Sequence, residues 1–382
     1  MTKPLLALRR AGLALMAAGL SRAAVAAPIT EAPTRLLVTG LSLPDRMATT
    51  YGWLDAHHLA VTTPPPGDDD AYSGLRRLVA VDARTGAQTV LLERGFLSCA
   101  NPHTGVVAAY VGDLRKLLRG GPAAAPVLTW FRWDAQQTRL VPQPPPPGPP
   151  MHPQQCRPFD PEDDRNGQVM TGAAPVRTLE PGHGQIRWTW DPATGQRGAV
   201  QWMRGAERRT LDVPAERIQA LVDWLPYRSA YLLTPGLYRV EQGQMTELLP
   251  LTTMDQQGRT AQVPTPAALA PGLSRDWTHQ VFSVPMRGGQ LLAVPGRSHD
   301  GAGLYRHTAQ GLQRVFCGPK PGGATDDALR DHTRCFEDEP IRVSPDGCQA
   351  AFATRYDADG RLRTTGLQGQ VHMLDLCGRA VR

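Results

Sequence analysis

One pattern recurs along this chain and limits what it can fold into: a tight turn, a short apolar strand, then further short strands parted by polar turns. Its clearest form is RVSPDGCQAAFATRYDADG, Arg342 to Gly360. The same order runs through WLDAHHLAVTT (53–63), RRLVAVDARTG (76–86) and AQTVLLE (87–93). It returns in SCANPHTGVVAAYVG (98–112) with PVLTWFRWDAQQTRLVP (126–142), and in poorer form over 182–213. A fourth copy joins DWLPYRSAYLL to GLYRVEQGQMTELLP (223–250), and a fifth joins PMRGGQLLAVPG to GAGLYRHTAQGLQRVF (285–316). The sixth begins at the SPDG turn and ends in GQVHMLDLCGRAVR (369–382). Strand centres fall near Leu59, Val107, Arg187, Tyr231, Leu291 and Ala351, mostly about 45–60 residues apart. The 38 Gly and 36 Pro fit this reading, because so many breakers favour short strands over helices.

A unit of four short strands cannot bury its own faces, and stacking such units around an axis gives a propeller. VVAAYV and CQAAFAT are apolar on both faces, as a blade between two others requires. A β-sandwich would alternate, with one wet face. The expected fold is therefore all-β, a β-propeller of six blades, with seven as the alternative. After Leu376 only CGRAVR remains, too little for another strand and turn, whereas TRLLVTGL (34–41) is a strand with no blade of its own. The expectation is that this N-terminal strand completes the last blade and closes the ring, removing the edge that an open ring exposes.

The residues VSPDGCQAAFA resemble the repeat of the TolB-like, or WD40-like Pro-Asp, β-propellers, and WLDAHHLAV and NPHTGVVAAYV look like degenerate versions of it. The resemblance implies the propeller fold. It also implies a place among envelope-assembly proteins, peptidase propeller domains and related chains.

The first residues read as an export signal: the basic MTKPLLALRR, the apolar AGLALMAAGL, and Ala-Val-Ala at 24–26. The apolar run is shorter than the roughly 20 residues a membrane span needs. Cleavage after residue 26 leaves 27–382 as a single propeller domain without a transmembrane segment. It also removes Lys3, Arg9, Arg10 and Arg22 but no acidic residue, bringing the formal charge from +6 to +2. So balanced a chain implies neither nucleic acid nor an anionic membrane as partner. A periplasmic or secreted monomer is expected.

Six cysteines in an exported chain suggest disulfides, with 15 possible pairings. Cys348 and Cys377 share a midpoint with the turn-like segment 357–368, so an antiparallel hairpin would set them opposite each other. Sequence order suggests Cys317 with Cys335 and Cys99 with Cys156. The alternative, metal binding, lacks C-x-x-C or paired-His spacing. The tract PQPPPPGPPMHP (142–153) is expected to be a stiff surface loop, since proline donates no backbone hydrogen bond.

Catalytic signatures are sparse. There is no G-x-S-x-G elbow. Ser298, His299 and Asp300 are neighbours in sequence, so they point apart rather than converge. His57 and His58 are expected on opposite faces of a strand. The acidic runs GDDDAYSG (67–74) and PEDDRNG (161–167) look like calcium loops, but Ala173 stands where the second would need a bidentate Glu, so solvated loops are expected. No metal or cofactor is therefore expected. Propellers bind at a mouth of the central channel, where the innermost strands converge. Trp53, Trp224 and Arg342 are placed on or near those strands, with FEDEP (336–340) in an adjoining loop, and are the candidate partner contacts. The leading expectation is a binding scaffold for an envelope protein, peptide or glycan. A lactonase- or lyase-type enzyme working at the channel mouth is the alternative, and an extracytoplasmic sensor is a third reading.

Overall fold

Leu59, Ala60 and Val61 are consecutive in one strand and all are buried, so both faces of that strand are covered. Side chains alternate across a strand, so a strand with no exposed face must lie between two layers. The computed structural model describes residues 30–31, 35–42, 51–67, 75–112, 127–146, 151–152, 156–158, 176–191, 196–213, 223–241, 244–263, 279–294, 303–317, 341–354 and 370–378. These residues are all-β apart from one turn of 3₁₀-helix, Pro226–Arg228. None of their helices is long and apolar enough to cross a membrane. The expected signal segment, the acidic runs over 68–74 and 161–167, residues 298–300, the FEDEP segment and Cys335 lie outside the described residues.

Six larger sheets follow one another along the chain, and a seventh of two short strands, Met151–His152 and Arg157–Pro158, forms at the end of the tract expected to be a loop. Sheet 1 is the meander Tyr51–Trp53, His58–Thr63, Arg77–Asp82 and Gln88–Leu92. Sheet 2 is Gly95–Asn101, Val106–Val111, Val127–Asp134 and Arg139–Gln143. Sheet 3 is Val176–Thr178, Gln185–Asp191, Gln196–Arg204 and Glu207–Leu211. Sheet 4 is Asp223–Leu225, Ala230–Thr234, Thr252–Asp255 and Thr260–Gln262. Sheet 5 contains His279–Met286, Gly289–Val294, Gly303–Thr308 and Gly311–Cys317, with Thr30–Glu31 added in parallel at its outer edge. Sheet 6 is Arg342–Val343, Gln349–Thr354 and Gln370–Asp375, and its fourth strand, Leu36–Ser42, comes from the far end of the chain.

Two details differ from the sequence reading. GLYRVEQGQMTELLP is not part of sheet 4: its strands Gly236–Glu241 and Gln244–Leu249 form a hairpin that pairs with His279–Met286 of sheet 5. The chain leaves sheet 4 through Gly236, where a β-carbon would collide with the Tyr238 ring, and returns at Thr252–Asp255. The Cys348–Cys377 disulfide is present with Cα atoms 5.1 Å apart, but the register is one residue off. Gln349 pairs with Asp375, and the Leu376 amide donates to the Cys348 carbonyl at 2.8 Å. The chain turns there because the Asp375 carboxylate accepts from the amides of Cys377 and Gly378 at 3.0 and 3.1 Å. Cys99 pairs with Cys156 as expected, and Cys317 is also disulfide-bonded.

Apolar layers join neighbouring sheets. Leu59, Val61 and Val81 of sheet 1 pack with Ala351, Ala353, Val371 and Met373 of sheet 6. Ala60 and Ala80, on the other face of sheet 1, pack with Val107, Ala109 and Phe131 of sheet 2. Sheet 3 meets sheet 4 through Ile186, Trp202, Tyr231 and Met254, and sheet 5 meets sheet 6 through Leu292, Phe316, Phe352 and Leu374. Each fully buried Leu, Ile or Phe in these layers contributes roughly 1.5–3 kcal/mol.

The turns that open the sheets are polar clamps. Asp55 Oδ1 accepts from the amides of His57 and His58 at 2.6 and 2.8 Å. Asp55 Oδ2 lies 2.9 Å from His58 Nδ1 and accepts from the Trp133 indole of sheet 2 at 2.6 Å. Burial alone would raise this carboxyl's pKa. The bonds from His58, Trp133 and the His57 amide outweigh burial and hold it well below the usual carboxylate range. In the SPDG turn, Asp346 Oδ1 accepts from the Ser344 hydroxyl at 2.6 Å and from the Cys348 amide at 3.0 Å. Gly347 takes φ +73° there, and its carbonyl accepts from the Arg287 amide of sheet 5 at 2.9 Å. Tyr227, beside sheet 4, packs on the same glycine and donates to the Pro285 carbonyl at 2.7 Å, so this turn joins three sheets.

Two predictions follow from these clamps. Asp55→Asn should cost about 1.5–3 kcal/mol at pH 7 in denaturant unfolding. A depressed folded pKa stabilises the fold above the unfolded value of about 3.9 and loses that contribution as pH falls. The gap between wild type and Asp55→Asn should therefore begin to narrow below about pH 4 and go on narrowing as pH falls towards the depressed folded value, and a gap independent of pH would contradict the assigned carboxylate role. At Gly347 a β-carbon would sit 2.8 Å from the Arg287 nitrogen and the Tyr227 ring, at a φ that disfavours L side chains. Gly347→Ala should lower stability by more than about 2 kcal/mol, measured the same way.

Candidate functional site

The first strands of these sheets end in turns, and side chains from the strands and turns meet at one place. Five sheets contribute to a cavity of about 220 Å³. Sheet 1 supplies Tyr51, Gly52 and Trp53; sheet 2 supplies Leu97 to His103; sheet 4 supplies Trp224, Leu225 and Leu232. Sheet 5 supplies Val284 and Pro285, and sheet 6 with its turn supplies Ile341 to Val343 and Pro345.

All three candidate contacts from the sequence stand at this cavity. Trp53 is 4% exposed, and its indole Nε1 donates to the Arg342 carbonyl at 2.9 Å, tying sheet 1 to sheet 6 at the wall. Trp224 is partly exposed and backed by aromatic rings: Tyr231 at 4.7 Å and His183 at 4.9 Å between centroids. The Tyr231 hydroxyl accepts from the Glu180 amide at 2.9 Å and lies 2.7 Å from His183 Nδ1, which fixes the rings behind Trp224. Arg342 is half-buried. Among the described residues its guanidinium has no hydrogen-bond or ion-pair partner.

The lining contains groups that the sequence reading did not select. Asn101 is buried, and its Oδ1 accepts from the amides of His103 and Thr104 at 3.0 and 3.3 Å, shaping the NPHTG turn at the cavity rim. Cys99 lies in the same wall, and its disulfide anchors that wall to Cys156 beyond the proline tract. NPHTG occupies the same place in sheet 2 that SPDG occupies in sheet 6, between the first and second strands. That equivalence was the signal available for Asn101 and His103. The lining is otherwise mainly apolar, and among its described residues Arg342 carries the one permanent charge and none is Asp or Glu.

No family model matches the sequence, and no curated protein matches it. Among solved structures, the chain is similar to a luciferin-regenerating enzyme at 7% identity, over 90% of this chain and 95% of that one, with a TM-score of 0.29. It is similar to an oligogalacturonate lyase in complex with manganese at 13% identity, over 84% of this chain and 74% of that one, with a TM-score of 0.24. The WD40 domain of SCAP from fission yeast gives 9% identity, over 92% of this chain and 100% of that one, with a TM-score of 0.27. Likenesses this weak carry no activity over to this chain.

The two lining residues have different jobs in the fold. Trp53→Ala removes a buried ring and should cost about 3–5 kcal/mol, whereas Arg342→Ala removes a guanidinium with no partner among the described residues and should stay within about 0.5 kcal/mol. Thermal or denaturant unfolding of the two variants checks this, and a large loss in Arg342→Ala would mean that its guanidinium is structural.

Proposed function

We propose that the six sheets are the blades of a closed β-propeller and that the chain is an exported binding scaffold whose axial cavity contacts a partner in the cell envelope. In this reading, residues 1–26 are a cleaved export signal and 27–382 form one monomeric domain in the periplasm or outside the cell. The strand Leu36–Ser42 closes the ring by completing sheet 6. Ring closure is supported by the apolar layer between sheets 6 and 1 and by the pairing of Leu36 with Leu374. Export is supported by the disulfides, which persist in oxidising compartments.

One observation carries the functional reading. The cavity is walled by the opening strands and turns of five sheets, with Trp53, Trp224 and Arg342 gathered in it. Rigid aromatic rings and an arginine in a concave, mainly apolar setting are the groups that dominate recognition energies. The lactonase or lyase alternative needs several carboxylates or histidines converging on the axis. Among the described lining residues His103 is the one of those types, so no specific observation favours that alternative.

The reading is tested by using the mature protein as bait for envelope extract, beside Arg342→Glu and Trp224→Ala with their folding checked by thermal melts. Wild type should retain a defined partner, and folded Arg342→Glu should retain at least roughly tenfold less of it. Equal retention by wild type and both variants would place the binding surface elsewhere and overturn the proposal.

A further inference from the structure

We infer that the cavity captures the C-terminal residue of a peptide, with Arg342 holding the free carboxylate and the terminal side chain lying among Trp53, Trp224, Leu232 and Val284. This rests on the binding-scaffold reading and names the chemistry of the partner. Three observations converge on it.

The first is charge. Arg342 lines the cavity half-buried, its guanidinium has no partner among the described residues, and no described lining residue is acidic. A guanidinium in a low-dielectric recess gains most from a carboxylate, which it can grip with two parallel hydrogen bonds. The second is size. A recess of about 220 Å³ is on the scale of one residue, below the usual size of a small-molecule site, and suits the end of a chain better than a long internal stretch. The third is the character of the walls. Beyond Arg342, the described lining is mostly aliphatic and aromatic, and its polar side chains are few: Ser98, Asn101, His103 and the Tyr51 hydroxyl. An acidic sugar would place several hydroxyls against those apolar walls and leave them unpaired, at a cost for each. An apolar terminal side chain has no such groups to satisfy. Its backbone nitrogen, one residue back, would still face the turn groups at the rim.

Calorimetric titration of the mature protein tests this with N-acetylated tripeptides ending in Ala, Leu or Phe, each as the free acid and as the C-terminal amide, and with galacturonate. The free acids of the Leu and Phe peptides should bind, with the matching amides roughly tenfold or more weaker. Arg342→Ala should erase the difference between acid and amide while leaving the melting temperature unchanged, and Arg342→Lys should restore part of it. Raising the salt concentration should weaken the acids more than the amides. Equal binding of acid and amide, binding of galacturonate in place of the peptides, or no binding across the panel would overturn the inference. In each of those cases, envelope capture that still depends on Arg342 would leave the scaffold reading standing. Loss of that dependence would remove both.

Discussion

One backbone ladder holds the ends of this chain together. Leu36, Leu37 and Val38 pair with Leu374, Met373 and His372, so a strand near the start is hydrogen-bonded to one near the end. The strand then bulges at Gly40, where the Thr39 hydroxyl donates to the Val371 carbonyl at 2.8 Å. The same segment reaches into sheet 1: the Gln88 amide donates to the Thr39 carbonyl at 2.7 Å, and Arg35 donates to the Arg84 carbonyl at 2.6 Å. Without this strand, Gln370–Asp375 would present an open edge and the layer between sheets 6 and 1 would lose Leu41. The Cys348–Cys377 disulfide fastens the partner side of the ladder, shortening the loop that the unfolded chain has to close.

With the sheets held in that order, the opening strands have little choice of position. In sheets 1, 2 and 6 the opening strand is followed at once by a turn whose polar side chains are hydrogen-bonded within the fold: Asp55 in sheet 1, Asn101 in sheet 2, Ser344 and Asp346 in sheet 6. Asp55 and Asp346 face away from any ligand role because the fold occupies them. What reaches the cavity is chiefly rings and aliphatic side chains, with Ser98, Asn101, His103 and Arg342 as the polar members among the described lining residues. That difference between consumed carboxylates and an unconsumed guanidinium leaves Arg342 as the one permanent charge among the described lining residues.

Much of the architecture was legible in the sequence because each four-stranded unit has a local signature, namely strand, turn and strand at a recurring spacing. VSPDGCQAAFA located sheet 6, and WLDAHHLAV and NPHTGVVAAYV located sheets 1 and 2. The placement of Trp53, Trp224 and Arg342 followed from the same alignment, since a residue just before the first turn of a unit lies on its opening strand. The hairpin 236–249 was assigned to the wrong sheet because its own pattern is local, while its pairing with His279–Met286 is a matter of what lies nearby in space. The register at Cys348 was missed by one because the Asp375 cap, which turns the chain early, is a side-chain effect invisible to midpoint arithmetic. That the Arg342 guanidinium has no partner among the described residues was not readable at all, since it depends on which acidic groups other turns have already taken.

The most direct measurement of the central claim is hydrogen exchange in the mature protein, resolved to single segments. If the ladder closes the ring, the amides of the 36–38 and 370–374 segments should exchange as slowly as those of the buried strand His58–Thr63, opening only with the whole fold. Fast exchange in the 36–38 segment, with His58–Thr63 still protected, would mean that the ends are not joined. A closed propeller would then no longer describe this chain.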